Sequence, residues 1–190
     1  MAKLIFRYGV MGSGKSTALL QVVHNYTEKG FKCLLLKPSL DTKGGHRVIS
    51  RIGIARPVDF SILKDTNIYE LIDKEKPYAV VVDEVQFLQP EQIEQMYRVT
   101  KILNIPILAY GLRSDFQTKG FPGSTRLLEL ADEVEELRTI CDCGKKATQN
   151  LRLLNGTPTF DGEQNVIDDK TEITYKSVCG ECYLKLKGEL

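Results

Sequence analysis

Short apolar runs alternate with stretches of helical spacing through most of the chain. Lys3 to Tyr8 reads as a short buried strand. From Ser16 to Glu28, Leu19, Leu20, Val23 and Tyr26 recur at helical spacing, and Gly30 ends the helix. Cys33 to Lys37 forms a second strand, stopped by Pro38. Residues 39 to 53 are polar and Gly-rich and read as a mobile loop. Ile68 to Lys74 predicts a helix. Tyr78 to Val82 is a continuous apolar run, the mark of a parallel strand covered on both faces. Pro90 to Leu103 is helical with its proline near the start, Ile105 to Tyr110 is a buried strand, Ser124 to Ala131 a helix and Val134 to Ile140 a strand.

Strands alternating with helices up to residue 140 predict an α/β fold, a parallel sheet flanked by helices. The character then changes. Residues 141–190 hold two cysteine pairs around a Gly-, Asp- and Thr-rich segment and read as a small subdomain of hairpin and loop. The division is therefore 1–140 and 141–190, without internal repeats.

Length and composition narrow the classes. A chain of 190 residues, 42% hydrophobic and 27% charged, can bury a core without disulfides. A formal net charge of +1 gives no general pull toward nucleic acid or membrane. No window approaches the roughly 18–20 apolar residues of a membrane span. Met1 to Val10 is strand-like and lacks a signal-peptide cleavage site, which points to the cytoplasm. In that compartment five cysteines suit thiols or metal ligands better than disulfides.

The motif with the clearest chemistry is Gly9-Val10-Met11-Gly12-Ser13-Gly14-Lys15-Ser16, a P-loop at every fixed position. Its glycines let backbone N–H groups close on phosphate oxygens of ATP, and the following helix adds its positive dipole end. Lys15 supplies a cation for the phosphates and Ser16 a hydroxyl for magnesium. A chance Gly-rich turn would lack the strand before it and the amphipathic helix after it. Asp83 and Glu84 end the run Val80-Val81-Val82. One can order magnesium and the other accept a proton from an attacking hydroxyl. Spacing alone does not divide these roles, and ordinary strand-end acids are the bland alternative.

Cys141 and Cys143, with Cys179 and Cys182, can close a tetrahedral zinc site, although the first pair is CxC rather than CxxC. Four separate thiols are the alternative. Cys33 reads as a core residue, and neither His24 nor His46 is expected to be a ligand. The loop from Asp41 to Arg47, with Arg51, carries cations that can fold over phosphate or remain a solvated surface. Phe87, Phe116 and Phe121 read as packing residues unless a base lies nearby.

These blocks bring the chain close to a known family. It resembles the zinc-containing cytosolic (type II) thymidine kinases nearly end to end, through Gly9 to Thr17, Lys37-Pro38 with Asp41, Ser50-Arg51 with Gly53, Asp83 to Phe87, Gly111-Leu112 with Asp115-Phe116, Phe121-Pro122, Ala131-Asp132, Cys141 to Ala147, Tyr175, and the Cys179–Cys182 pair. The resemblance implies transfer of phosphate from magnesium-bound ATP to the 5′-hydroxyl of thymidine in nucleotide salvage for DNA synthesis. It makes Glu84 the catalytic base, Asp83 its metal-organising neighbour, and places Gln86 at the ATP site. It lines the base pocket with Met11, Phe87, Leu112, Phe116 and Phe121. Val166 to Tyr175 become a lasso loop whose backbone reads the pyrimidine edge and whose Tyr175 closes the pocket. One structural zinc per chain, a homotetramer and feedback binding of dTTP are further implications, with no nucleic-acid or membrane partner.

Three positions depart from the family pattern. Lys43 stands where an arginine is usual, and lysine has no bidentate fork, which shifts phosphate contact toward Arg47 or Arg51. Asn150 occupies the place of a threonine that meets the thymine methyl, so deoxyuridine is expected as a second substrate. The Cys141–Cys143 pair is one residue short. The competing readings are a kinase for another nucleoside or nucleotide, and a P-loop ATPase or nucleotide switch acting through a zinc module.

Overall fold

The computed structural model describes residues 1–39, 46–164 and 172–190. Its centre is a six-stranded parallel sheet in the order β5-β2-β6-β7-β1-β8. The strands are β1 (Leu4–Tyr8), β2 (Cys33–Pro38), β5 (Phe60–Ile62), β6 (Ala79–Val82), β7 (Ile107–Gly111) and β8 (Glu133–Glu136). Every residue of β2, β6 and β7 is buried, because helices cover both faces. One face packs Phe6, Leu36, Val80, Val82 and Ala109 against α2 (Ile68–Glu75), α3 (Pro90–Arg98) and α4 (Pro122–Leu130). The other packs Leu35, Val81 and Tyr110 against Leu19, Leu20 and Val23 of α1 (Lys15–Glu28).

Several boundaries differ from the sequence expectation. The segment read as a loop over residues 39–53 holds, in its described part, the first strand of a hairpin: β3 (Arg47–Ile49) pairs antiparallel with β4 (Ala55–Pro57) just beyond it. Val48 is the one buried residue of β3, so the pattern gives a single apolar anchor, too weak a signal for a strand. Strand β8 ends at Glu136, not Ile140, because the chain turns toward the cysteine cluster, where Ile140 bridges Lys146. The helix expected to reach Leu103 is α-helical to Arg98 and continues as a wider π turn over Val99–Leu103.

After β8, β9 (Gln149–Leu154) is flanked by β10 (Thr157–Thr159) and β11 (Ile173–Val178) in a three-stranded antiparallel sheet. Residues 141–190 were expected to be hairpin and loop, yet they also end in helix α5 (Gly180–Lys187). Cys179 caps it, accepting a hydrogen bond from Cys182 N–H. A separate cluster of Cys141, Ala147, Leu151, Val178, Cys179 and Tyr183 fills the space between this sheet and α5.

Candidate active site

The turn from β1 into α1 lies at the carboxyl end of the parallel sheet. Its glycines do specific work. A Cβ on Gly9 would meet Ser13 Oγ at 2.3 Å and the Leu137 carbonyl at 2.5 Å. Gly12 and Gly14 sit at φ +79° and +81°, a region that disfavours other residues. Lys15, the first residue of α1, is buried, and its Nζ donates to the Gly9 and Val10 carbonyls at 3.1 and 2.9 Å. Burial pulls its pKa below the usual lysine value, against the opposing pull of Glu84 and Asp83. Ser13 Oγ is buried with no hydrogen-bond partner among the described residues. An unpaired hydroxyl beside a buried ammonium and a helix N-terminus suits a phosphate group.

Asp83 follows β6 and is 3% exposed. Burial, and then the charge of Glu84, push its carboxyl up to about 7, while the Glu84 N–H and the cations Lys37 and Lys15 pull the other way. A carboxylate held so high gains from a neighbouring cation, and its oxygens are of the kind a hard divalent ion takes.

Glu84 adopts a left-handed backbone at φ 50° and opens a 3-10 turn over Val85–Phe87. Gln86, on that turn, donates from Nε2 to Glu84 Oε2 at 2.5 Å and accepts from Leu112 N–H at 3.1 Å. Both ends of its amide are thus engaged within the protein. Backbone approach is close here too, since a Cβ on Gly123 would lie 2.7 Å from the Val85 carbonyl.

The aromatic residues divide into two groups. Phe87 and Phe121 meet edge to face at 5.9 Å, with Phe121 buried and Phe87 half-buried. Phe116 lies under the Arg152 guanidinium, 3.5 Å from its ring centroid. Arg152 is 1% exposed; it donates to Tyr175 Oη at 3.2 Å and to the carbonyls of Glu163 and Gln164 at 2.8 and 2.9 Å. It therefore grips the chain where the expected lasso begins. Val166 lies outside the described residues, as do Asp41 and Lys43. Leu112 and Met11 are half-buried, and the Leu112 carbonyl accepts from Ser124 Oγ at 2.5 Å. Asn150 accepts from Met11 N–H at 2.8 Å and donates to the Ser114 carbonyl at 3.0 Å.

Arg51 occupies the β3–β4 turn, and its guanidinium lies against the P-loop, with Nη1 2.7 Å from the place a Gly12 Cβ would take. Arg47 begins β3, and its carbonyl accepts from Lys37 Nζ at 3.2 Å. Sequence reasoning passed over Lys37, Arg152 and Ser177 as site residues. All three sit inside strands, where a lone polar residue carries no period.

The four thiols Cys141, Cys143, Cys179 and Cys182 come together with every sulfur within 4.8 Å of the others. Cys143 and Cys179 Sγ are 3.6 Å apart. Four sulfurs at about 2.3 Å from one zinc ion would stand roughly 3.8 Å apart, so the donor set and spacing fit a closed tetrahedral site. Backbone N–H groups at Cys143 and Cys179 bring the Cys141 thiol down to about 7, while contact with the other sulfurs pushes Cys182 upward. The group can hold a metal ion. Cys33 is buried in β2, away from this cluster.

A family model described as "Thymidine kinase" matches residues 2–183. The chain belongs to the thymidine kinase family. Among curated thymidine kinases, that of Ruegeria pomeroyi is 45% identical, covering all of this chain and 97% of its own. That of Enterobacteria phage T4 is 42% identical with full coverage of both chains. That of Streptococcus pyogenes serotype M3 is 43% identical over 96% of this chain and 97% of its own. Thymidine kinase membership makes the protein an enzyme, and among the described residues no helix is long and apolar enough to cross a membrane.

Proposed function

We propose that this protein transfers the γ-phosphoryl group of ATP to the 5′-hydroxyl of thymidine, in cytoplasmic nucleotide salvage for DNA synthesis. The observation that carries the reading is a buried P-loop lysine, its Nζ on the Gly9 and Val10 carbonyls and within reach of the charges of Glu84 and Asp83, in a chain similar to curated thymidine kinases along its whole length. Residues Gly9 to Ser16 would cradle the phosphates, with Lys15 as the moving charge partner. Arg51, lying over Gly12, would supply the cation that a loop arginine gives elsewhere. Ser16 and Asp83 would hold magnesium, which neutralises charge on the phosphates when bound. Glu84 would take the hydroxyl proton, its carboxylate held in place by Gln86.

Met11, Phe87, Leu112, Phe116 and Phe121 would wall the base, closed by the segment from Val166 to Tyr175. Asn150 replaces the usual threonine and directs its amide to backbone groups, which favours acceptance of deoxyuridine beside thymidine. The cysteine cluster would hold one structural zinc within a subdomain over residues 141–190. A homotetramer and feedback by dTTP complete the reading.

ATP consumption with magnesium tests it, using thymidine, deoxyuridine, deoxycytidine, deoxyguanosine and no acceptor. Turnover confined to thymidine and deoxyuridine supports the kinase. Hydrolysis without any acceptor favours the alternative of a P-loop ATPase or switch, since an acid beside Asp83 can also activate water.

A further inference from the structure

Met11 is held from outside its loop at both of its backbone groups. Its N–H donates to Asn150 Oδ1 at 2.8 Å, and its carbonyl accepts from Ser177 Oγ. Asn150 and Ser177 are directly opposed residues of β9 and β11. The two contacts cross 139 and 166 positions of sequence, so nothing local produces them.

The peptide geometry gives these bonds a consequence. In a trans peptide the N–H and C=O point in opposite directions. Drawing Met11 N–H to Asn150 turns the Val10 carbonyl the other way, toward Lys15 Nζ at 2.9 Å. Drawing the Met11 carbonyl to Ser177 turns the Gly12 N–H away from β11. Two successive peptides are thereby oriented in a segment where Gly12 and Gly14 have left-handed backbones and offer little rotational resistance of their own. Asn150 is itself braced by the Ser114 carbonyl at 3.0 Å, and β11 runs directly into Cys179 of the cysteine cluster.

We infer that Asn150 and Ser177 form a clamp that presets the P-loop for nucleotide phosphate, making both of them positioning residues for ATP rather than readers of the base. This rests on the reading of Gly9 to Ser16 as the phosphate loop. Without the clamp the loop samples flipped peptides, and ATP affinity falls by the fraction of time the binding form is lost.

The experiment measures binding of a non-hydrolysable ATP analogue with magnesium by calorimetry, together with KM for ATP and thymidine and the Tm. The proteins are the wild type, Asn150→Ala, Ser177→Ala, the double variant and Ser177→Thr. Each alanine variant is expected to weaken analogue binding about five- to tenfold, the effect of one lost hydrogen bond. The double variant should fall short of the product of the two, because both act on one residue. Ser177→Thr keeps the hydroxyl and should stay within about twofold of wild type. KM for thymidine should hardly move. A lowered Tm with unchanged analogue binding would reduce the pair to packing and overturn the clamp. A change in thymidine KM alone would make Asn150 a base reader instead. A wild type that binds no analogue would refute the phosphate-loop reading itself, and the clamp with it.

Discussion

Gln86 Nε2 lies 2.5 Å from Glu84 Oε2, holding the carboxylate from the same 3-10 turn that Glu84 begins. The left-handed backbone of Glu84 aims the side chain, and the amide fixes its rotation. Replacing Glu84 by Gln is expected to lower kcat about 10²–10⁴-fold with ATP-analogue binding within about twofold. Gln86→Leu should lose roughly tenfold in kcat, because the base remains but is no longer oriented. Steady-state kinetics with both variants check this; a Glu84→Gln enzyme near wild-type rate would remove Glu84 as base.

Asp83 carries a carboxyl raised to about 7 by burial and by Glu84. A folded-state value above the unfolded one means that the ionised group opposes folding, and the penalty grows as pH rises from about 4 through about 7. Asp83→Asn should therefore raise the Tm of the metal-free protein by about 2–4 °C at pH 8, for ~1 kcal/mol gained, and by less at pH 5. The same change should abolish the stabilisation that magnesium gives in the presence of nucleotide. For the wild type, magnesium binding should weaken as pH falls through about 7, since the proton competes with the ion. Thermal scans across pH, with and without magnesium, separate these effects.

Metal at the cysteine cluster should be retained at neutral pH and lost on acidification. Cys141 sheds its proton near 7, but the crowding of four sulfurs holds Cys182 protonated until a cation is present, so binding releases protons. One zinc per chain is expected from metal analysis of the purified protein. Cys182→Ser should lower zinc content below half and reduce Tm. Finding no zinc in wild-type protein would remove the site.

Arg152 has its guanidinium between the Phe116 and Tyr175 rings, 3.5 and 5.6 Å from their centroids, with the Glu163 and Gln164 carbonyls as acceptors. Lysine keeps the charge but cannot serve both carbonyls and stack as a plane. Arg152→Lys should cost about 2–3 kcal/mol of stability and raise KM for thymidine more than KM for ATP. Denaturant unfolding and kinetics on the two substrates test the two halves.

The main sheet and the P-loop could be read from the chain because their signals are local. Val80 to Val82 are apolar in a row since they are covered on both faces, and Gly12, Gly14 and Lys15 must be those residues to turn and carry charge in one place. The cysteine pairs announced themselves by residue type, and the four sulfurs do converge. The hairpin under Arg51 left one buried valine as its trace, and helix α5 is too short and too mixed to show a period. What only the tertiary structure decided is how distant parts meet: Arg51 over Gly12, Arg152 on Phe116, and Asn150 with Ser177 on the two backbone groups of Met11. A polar residue within a strand has the same local pattern whether it faces water or a loop far away in sequence, so its partner is set by how the sheets pack and not by its neighbours in the chain.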